Sequence, residues 1–235
     1  APSHFPFQHE GLKALTDKFI TNHQFNLIAR QIGLVQRAVE TASDPKVVES
    51  VRIGAAAAIA EAFPNEAQRD RLRLASIADM RERDHFREYL LSLEPLLAPF
   101  PQVTEKTLAK LFPKVKKLKT PDLAAVDFTR VTYLGWTDIA AGRMYLVYPL
   151  DGQLVGIEGR FTPVSKSGVC FLCNRHGDVA LFTANTKTKP PGAGVDYYKA
   201  IGNYLCTDSA ACNRQIADVG ALETYVRAVT GIGKQ

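Results

Sequence analysis

The chain has 235 residues, of which 46% are hydrophobic and 23% are charged, a composition typical of globular proteins with one large or two small domains. Its 29 basic and 24 acidic residues give a formal net charge of +5, which favours acidic partners but does not by itself indicate a nucleic-acid-binding protein. No apolar run approaches the roughly 20 residues of a transmembrane helix, and Ala1 to Glu10 lack the basic and apolar regions of a signal peptide. These features argue against a membrane protein and predict a cytoplasmic one.

The first hundred residues have the periodicity of a helical bundle. From Asn22, apolar residues recur at helical spacing and form one stripe on a polar helix. Asp44-Pro45 predicts the start of a second helix, with Asp44 as N-cap and Pro45 at the first helical position. Asn65 predicts the cap of a third helix, which we expect to run to about Met80. A fourth helix is indicated by the apolar residues Phe86, Leu90 and Leu93.

The character of the sequence changes after a proline-punctuated linker at residues 95–101. Thr104 predicts the cap of a short helix, and Asp151-Gly152 predicts a hairpin turn. β-Branched and aromatic residues predict three strands around that turn, Val131–Trp136, Arg143–Tyr148 and Gln153–Phe161. A second hairpin and a terminal helix from about Ser209 to Val229 are expected to follow.

The four cysteines of the chain lie together in its last third, at Cys170, Cys173, Cys206 and Cys212. Cytoplasmic thiols are kept reduced, so such a set favours metal binding over disulfide bonds. The first two form a C-x2-C pair flanked by turn residues, the third ends a predicted strand, and the fourth follows the helix cap Asp208. This is the layout of a treble-clef zinc finger.

Four sulfur ligands complete a tetrahedral zinc site and leave no position for a substrate. We therefore predict one structural Zn²⁺ rather than a catalytic one, contributing on the order of 10 kcal/mol to folding. Four unlinked buried thiols are the less favoured alternative. The sequence has no catalytic motif, which predicts a binding protein rather than an enzyme.

These patterns predict an α+β fold. An N-terminal helical bundle is expected in residues 1–102. Residues 103–235 are expected to hold a small antiparallel β sheet, the four-cysteine treble-clef zinc finger and a C-terminal helix.

Two features leave an RNA-binding function open as an alternative. A lysine cluster follows the linker, at Lys106, Lys110, Lys114, Lys116, Lys117 and Lys119. It is either a solvated face or a strip that contacts phosphates, and the solvated face is favoured. The second feature is a set of aromatic residues along the predicted strands, Tyr133, Trp136, Tyr145 and Tyr148. They either form a stacking platform for bases or pack within the sheet, and packing is favoured. Direct contact with RNA is therefore the less favoured interpretation.

Three segments around the cysteines form a distinctive pattern, Gly168–Asn174, Gly202–Ser209 and Cys212–Gln215. Together they resemble the fusidic-acid-resistance family of elongation factor G-binding proteins, and the resemblance extends upstream to Lys114–Lys119 and Leu134–Asp138. The resemblance implies an N-terminal helical bundle and a C-terminal treble clef. It also implies a protein that binds the C-terminal domains of elongation factor G and promotes the factor's release from the ribosome, which rescues translation from fusidic acid. Contact with the ribosome would then be indirect or transient, and no membrane is involved.

The resemblance further implies a partner-binding surface around the finger. Tyr204 matches a contact position of the family, Tyr225 replaces another aromatic residue, and Phe171 and Lys199 complete the predicted surface.

Two positions depart from the family pattern. Val169 stands where an aromatic residue can precede the first cysteine, and Ile201 stands where a lysine can precede the glycine, with Lys199 two residues away. These departures bear on the affinity for the factor rather than on its identity.

Overall fold

The structure is a computed structural model that describes residues 18–188, 192, 194 and 199–233. Ala1 to Glu10 and part of the predicted loop between Ala184 and Gly194 lie outside the described residues. The chain divides into two compact units between Pro99 and Phe100, whereas the sequence places the boundary after residue 102. Among the helices that the structure describes, none has the length and apolarity needed to cross a bilayer.

The first unit is a helical bundle, as predicted. Its elements are α1 (Asn22–Thr41), α2 (Pro45–Glu61), α3 (Glu66–Arg71), a 3₁₀ helix (Leu74–Asp79) and α4 (Arg83–Leu93). The predicted cap of α2 is confirmed, because the Asp44 carboxylate accepts a hydrogen bond from the Lys46 backbone N–H at 2.9 Å. The fully buried core side chains include Ile28, Ile32, Ile59, Phe63, Leu72 and Ile77.

The third predicted helix is broken, which corrects the expectation of one helix from Asn65 to Met80. Asn65 does cap α3, accepting a hydrogen bond from the Gln68 N–H at 3.3 Å. The chain then turns at Arg73, whose φ of +50° lies in the left-handed region. Leu72 and Ile77 are both buried, yet in one straight helix they would point about 140° apart. The turn allows both side chains to reach the same core.

The second unit opens with α5 (Glu105–Leu111), which Thr104 caps by accepting a hydrogen bond from the Thr107 N–H at 3.1 Å. Short 3₁₀ helices follow at Leu123–Ala125 and Phe128–Arg130. The main sheet contains β1 (Leu134–Asp138), β2 (Arg143–Leu150), β3 (Gln153–Pro163), β6 (Val179–Asn185) and β7 (Ala200–Cys206), in that order and antiparallel throughout. A separate two-stranded hairpin contains β4 (Gly168–Val169) and β5 (His176–Gly177).

The β2–β3 turn is confirmed at Asp151-Gly152. Both residues have positive φ, +50° and +77°, as a two-residue hairpin turn of the I′ type requires. Asp151 also forms a bidentate ion pair with Arg227, with both N···O distances at 2.8 Å. The turn sets the register of the whole β2–β3 ladder.

The two faces of the sheet are covered differently. One face carries Leu146 and Phe182 and packs fully into the core that surrounds the cysteines. The other face carries Tyr145 and Val147, which pack with Phe112 beside α5. A Cβ at Gly156 would lie 2.9 Å from the Phe112 ring, so glycine allows this close approach. The cover from α5 lies over the part of this face nearest β1 and β2.

The terminal helix is also broken, into α6 (Ser209–Asn213) and α7 (Gly220–Thr230), where the sequence predicts one helix to Val229. Asn213 Oδ1 accepts hydrogen bonds from the backbone N–H groups of Thr132 at 2.7 Å and Tyr133 at 3.2 Å. Asp218 then accepts a hydrogen bond from the Gly220 N–H at 2.6 Å at the start of α7. The helix ends here because the Asn213 side chain bonds to a distant segment and the Asp218 side chain bonds to a local turn.

Candidate metal centre and partner surface

The four cysteines converge from three separate parts of the second unit. Cys170 and Cys173 lie in the turn between β4 and β5, Cys206 ends β7, and Cys212 lies in α6. Their sulfur atoms all lie within 4.8 Å of one another. The spacing pattern in the sequence therefore corresponds to a real cluster in space.

The geometry of the cluster fits a tetrahedral zinc ion. The Cys170 and Cys212 sulfurs are 3.8 Å apart, and the Cys173 and Cys206 sulfurs are 3.7 Å apart. Four sulfurs at a Zn–S distance of about 2.3 Å would be separated by about 3.8 Å. All four cysteines are free thiols, and these separations are far longer than the S–S bond of about 2.0 Å in a disulfide. The donor set and the spacing are those of a closed zinc site.

Backbone hydrogen bonds hold the ligands in place. The Cys170 N–H donates to the Arg175 carbonyl at 3.0 Å, and the Asn174 N–H donates to the Cys170 carbonyl at 2.9 Å. Asn174 has a φ of +55°, a left-handed conformation that asparagine tolerates. Asp208 caps α6 by accepting two backbone N–H bonds at 2.8 and 3.1 Å, which places Cys212 in the helix as predicted.

The electrostatics of the cluster also favour a cation. The pKa of Cys170 is lowered, first because its sulfur accepts a hydrogen bond from Cys173, and further by bonds from Cys206 and Cys212. The pKa of Cys212 is raised, chiefly because it bonds to Cys170 as the protonated partner. Sulfurs this close cannot all ionise unless a positive charge offsets their repulsion. A divalent metal ion supplies that charge.

Two of the predicted partner-binding residues are exposed at different ends of β7. Tyr204, two residues before Cys206, is 49% exposed, and Lys199 is exposed before the opposite end of the strand, where Ala200 pairs with Asn185. The Phe171 N–H donates to the Tyr204 carbonyl at 2.8 Å, which joins the cysteine turn to this strand. Phe171 itself is half-buried against the core.

Tyr225, the fourth of the predicted partner-binding residues, lies within the core of the zinc-finger unit. Its side chain is only 3% exposed. Its ring lies 5.4 Å from the ring of Phe171 and 5.9 Å from that of Phe182. Burial raises the pKa of its hydroxyl. Tyr225 therefore supports Phe171 from beneath.

Two exposed valines add to the surface around the finger. Val169, the residue before the first cysteine, is 57% exposed, and Val164 after β3 is 38% exposed. In the sequence, Val169 stands out only as a departure from the family pattern, and no pattern distinguishes Val164. A valine in a strand usually predicts burial, but among the described strands β4 pairs only with β5 in a two-stranded hairpin, which leaves Val169 exposed.

The two features that left RNA binding open have different outcomes. Tyr133, Tyr145 and Tyr148 are buried, and Trp136 stacks on Tyr145 at 5.1 Å, so the interpretation of these aromatics as sheet packing is confirmed. The lysines from Lys106 to Lys119 are exposed. Lys119 lies 3.4 Å from the Asp138 carboxylate.

Comparisons with known proteins agree with this architecture in both units. Residues 19–101 match the family described as "Elongation factor G-binding protein, N-terminal". Residues 112–227 match the family described as "FBP C-terminal treble-clef zinc-finger". No curated protein matches the chain in sequence.

A solved structure described as that of the fusidic acid resistance protein FusC is similar over almost the whole chain. The superposition has a TM-score of 0.74 at 26% sequence identity and covers 91% of this chain and 98% of FusC. The similarity thus includes residues of both units. On the evidence of both family matches and this structural similarity, the chain belongs to the family of elongation factor G-binding proteins with a C-terminal treble-clef zinc finger.

Proposed function

We propose that this protein binds elongation factor G through its zinc-finger unit and promotes release of the factor from the ribosome, which protects translation from fusidic acid. Family membership over both units and the similarity to a fusidic acid resistance protein support this function. The observation that carries it is the cluster of four sulfurs within 4.8 Å beside the exposed Tyr204.

We further propose that Cys170, Cys173, Cys206 and Cys212 hold one zinc ion. Zinc supplies a structural cross-link when bound, because it ties the β4–β5 turn to β7 and to α6. These four cysteines perform no bond chemistry on a substrate. Their role is to hold the neighbouring side chains in one orientation.

The proposed contact surface combines an aromatic anchor, an apolar border and a cation. Tyr204 supplies a large contact area at a low cost in side-chain entropy. Val169 extends the apolar area, and Lys199, before the opposite end of β7, adds a positive charge that favours the approach of an acidic partner. Phe171 and the buried Tyr225 fix the turn from which this surface projects.

Release of the factor from the ribosome requires a difference in affinity. A bound protein shifts an equilibrium only by the difference between its free energies of binding to the two states. The protein must therefore bind the factor more tightly in the conformation that leaves the ribosome than in the conformation that the drug traps.

A titration of purified elongation factor G tests the proposed contact. We expect Tyr204→Ala to weaken binding about 30-fold, because truncation of an aromatic anchor costs about 2 kcal/mol. The matched control is Ile139→Ala, which removes an 88% exposed apolar side chain between β1 and β2 in the same unit. Cys206→Ser should abolish the complex. Equal affinity of the wild type, Tyr204→Ala and Cys206→Ser proteins would refute the proposal.

A second experiment tests release. Labelled elongation factor G is trapped on ribosomes with fusidic acid, and its dissociation rate is measured with and without the protein. We expect faster dissociation with the wild type and with Ile139→Ala, and little acceleration with Tyr204→Ala. Tight binding to the free factor with no change in the dissociation rate would reject release as the function.

A further inference from the structure

The sheet face that carries Tyr204, the cross-strand partner of Leu181, also holds a groove whose lining residues have no role in the proposed function. The groove has a volume of about 980 Å³ and lies over the part of the sheet that α5 leaves open. Glu158, Arg160 and Thr162 of β3 line it, together with Leu181 and Thr183 of β6. The residues that alternate with them along the strands face the opposite core. The open face of this sheet is thus largely polar.

Two arginines stand directly opposite each other in this groove. Arg143 of β2 and Arg160 of β3 are cross-strand partners, a position in which like charges destabilise a sheet. Glu158 lies 3.4 Å from Arg143. Within the described part of the chain, no acidic side chain forms an ion pair with Arg160. The repulsion between the two arginines destabilises the sheet, and the Arg160 guanidinium has no acidic partner among the described residues. An anionic ligand would relieve the repulsion and pair with this guanidinium.

Two lysines add to this positive charge. The Lys187 ammonium donates to the Gly156 carbonyl at 3.3 Å, which holds it above β3. Lys114, a member of the lysine cluster, lines the groove next to α5. Among the lining residues that the structure describes, four are cations, Lys114, Arg143, Arg160 and Lys187, and one is a carboxylate, Glu158. Such a concave surface concentrates positive potential.

The chemistry of the lining distinguishes a phosphate polymer from a protein partner. The centre of a protein interface usually holds exposed apolar or aromatic anchors, and none of the large exposed hydrophobic side chains of the described residues lines the groove. Hydroxyl and amide groups accompany the cations instead, at Thr162, Thr183, Thr186 and Asn185. Cations with hydroxyl and amide donors are the groups that contact phosphate oxygens.

We propose that this groove binds RNA through its phosphodiester backbone. Among the described lining residues, Phe112 is the aromatic one and is buried, so these residues contact the backbone rather than stack on bases, and the contacts they make do not depend on sequence. The choice of RNA among phosphate polymers rests on the proposed function, which brings the protein to the ribosome. The groove itself requires only the phosphate backbone.

The test is a titration of a short fluorescently labelled single-stranded RNA with the zinc-bound full chain, followed by anisotropy at several salt concentrations. The variant Arg160→Gln/Lys187→Gln removes two groove cations. The matched control Lys116→Gln/Lys117→Gln removes two exposed lysines that lie outside the groove. Each lost phosphate contact lowers the salt slope by about 0.7, so we expect the groove variant to lower it by about 1.4 and the affinity at about 0.1 M salt by roughly 10- to 30-fold. The control should stay within about threefold of the wild type.

Three outcomes would overturn the proposal. They are an equal loss in both double variants, no RNA binding by the wild type, and groove-dependent binding of single-stranded DNA or polyglutamate that is tighter than that of RNA. Elongation factor G is titrated in parallel. Groove-dependent RNA binding by a protein that does not bind the factor would reject the proposed function and support the groove. Loss of factor binding in the groove variant with RNA binding unchanged would reject the groove.

Discussion

Each of the two units is stabilised internally in a different way. The helical unit contains no cysteine and depends on a core of aliphatic and aromatic side chains such as Ile59 and Phe63. The zinc-finger unit also has an apolar core, but the four sulfurs lie inside it. The zinc finger thus fixes short strands, tight turns and a five-residue helix, whereas the longer helices of the first unit pack without such a site.

Removal of zinc should have the largest effect on stability, and it should unfold the zinc-finger unit while the helical unit stays folded. A structural zinc contributes about 10 kcal/mol or more to folding, so a strong chelator should unfold the finger unit. Trp136 is the single tryptophan of the chain and packs between Phe112 and Tyr145, so its fluorescence reports on this unit. Far-ultraviolet circular dichroism should retain the signal of the helical unit. An unchanged Trp136 spectrum after complete zinc removal would contradict the prediction.

Phe63→Ala should have the opposite pattern. Phe63 is 1% exposed and makes an edge-to-face contact with Phe19 at a ring distance of 5.9 Å. Loss of a buried phenylalanine costs about 3–5 kcal/mol. The helical transition followed by circular dichroism should move to lower temperature, while zinc content and the Trp136 transition stay unchanged. The control is Ile53→Ala, which removes a 62% exposed side chain of α2. A comparable shift of the Trp136 transition would show that the units are not stabilised separately.

Asn213→Ala tests hydrogen bonds that stabilise the zinc-finger unit without involving the metal. The substitution leaves the backbone N–H groups of Thr132 and Tyr133 without the Asn213 acceptor. Unsatisfied buried groups cost about 1–3 kcal/mol each, so we expect a loss of about 2–3 kcal/mol in the Trp136 transition with one zinc retained. Arg214→Ala removes the exposed neighbouring side chain and is the control. A loss of zinc in Asn213→Ala would mean that the side chain acts on the metal site instead.

Local signals in the sequence predicted much of this architecture. The caps at Asp44 and Thr104 depend on residues two or three positions away, and the Asp151-Gly152 turn depends on its own two residues. The cysteine cluster was predictable because its spacing coincided with turn and helix-start signals. The breaks at Arg73 and after Asn213 were not, since each depends on contacts with distant segments.

Two other features of the structure, the burial of Tyr225 and the pairing of Arg143 with Arg160, follow from the pattern of the sequence. Leu222, Tyr225, Val226 and Val229 follow the i, i+3, i+4, i+7 spacing of a buried helix face, and all four are buried. Tyr225 was instead assigned to the partner surface through the family resemblance. Similarly, a two-residue turn at Asp151-Gly152 places Arg143 opposite Arg160 when the strands are counted outward. Counting residues from the turn does not show which half of that sheet face α5 leaves uncovered.

We expect the smallest effect on stability from breaking an exposed ion pair, and we consider one such pair in each unit. In the zinc-finger unit, hydrogen bonds from Arg227 lower the pKa of Asp151. In the helical unit, bonds from Gln36 and then Arg83 lower the pKa of Glu40, whose carboxylate is 2.8 Å from Arg83. A carboxyl group whose pKa is lowered on folding stabilises the protein above its unfolded pKa of about 4, and this contribution is lost as the pH falls through the folded pKa.

Asp151→Asn should therefore remove a small part of the acid sensitivity of the Trp136 transition and leave the helical transition unchanged. Asparagine tolerates the left-handed φ of +50° at this turn, so the hairpin itself is preserved. Acid also protonates the zinc thiolates, but that loss is common to wild type and variant and cancels in their difference. Glu40→Gln should act in the same way on the helical transition alone. Identical pH profiles for Asp151→Asn and the wild type would show that the pair with Arg227 adds nothing to stability, as salt screening of an exposed pair allows.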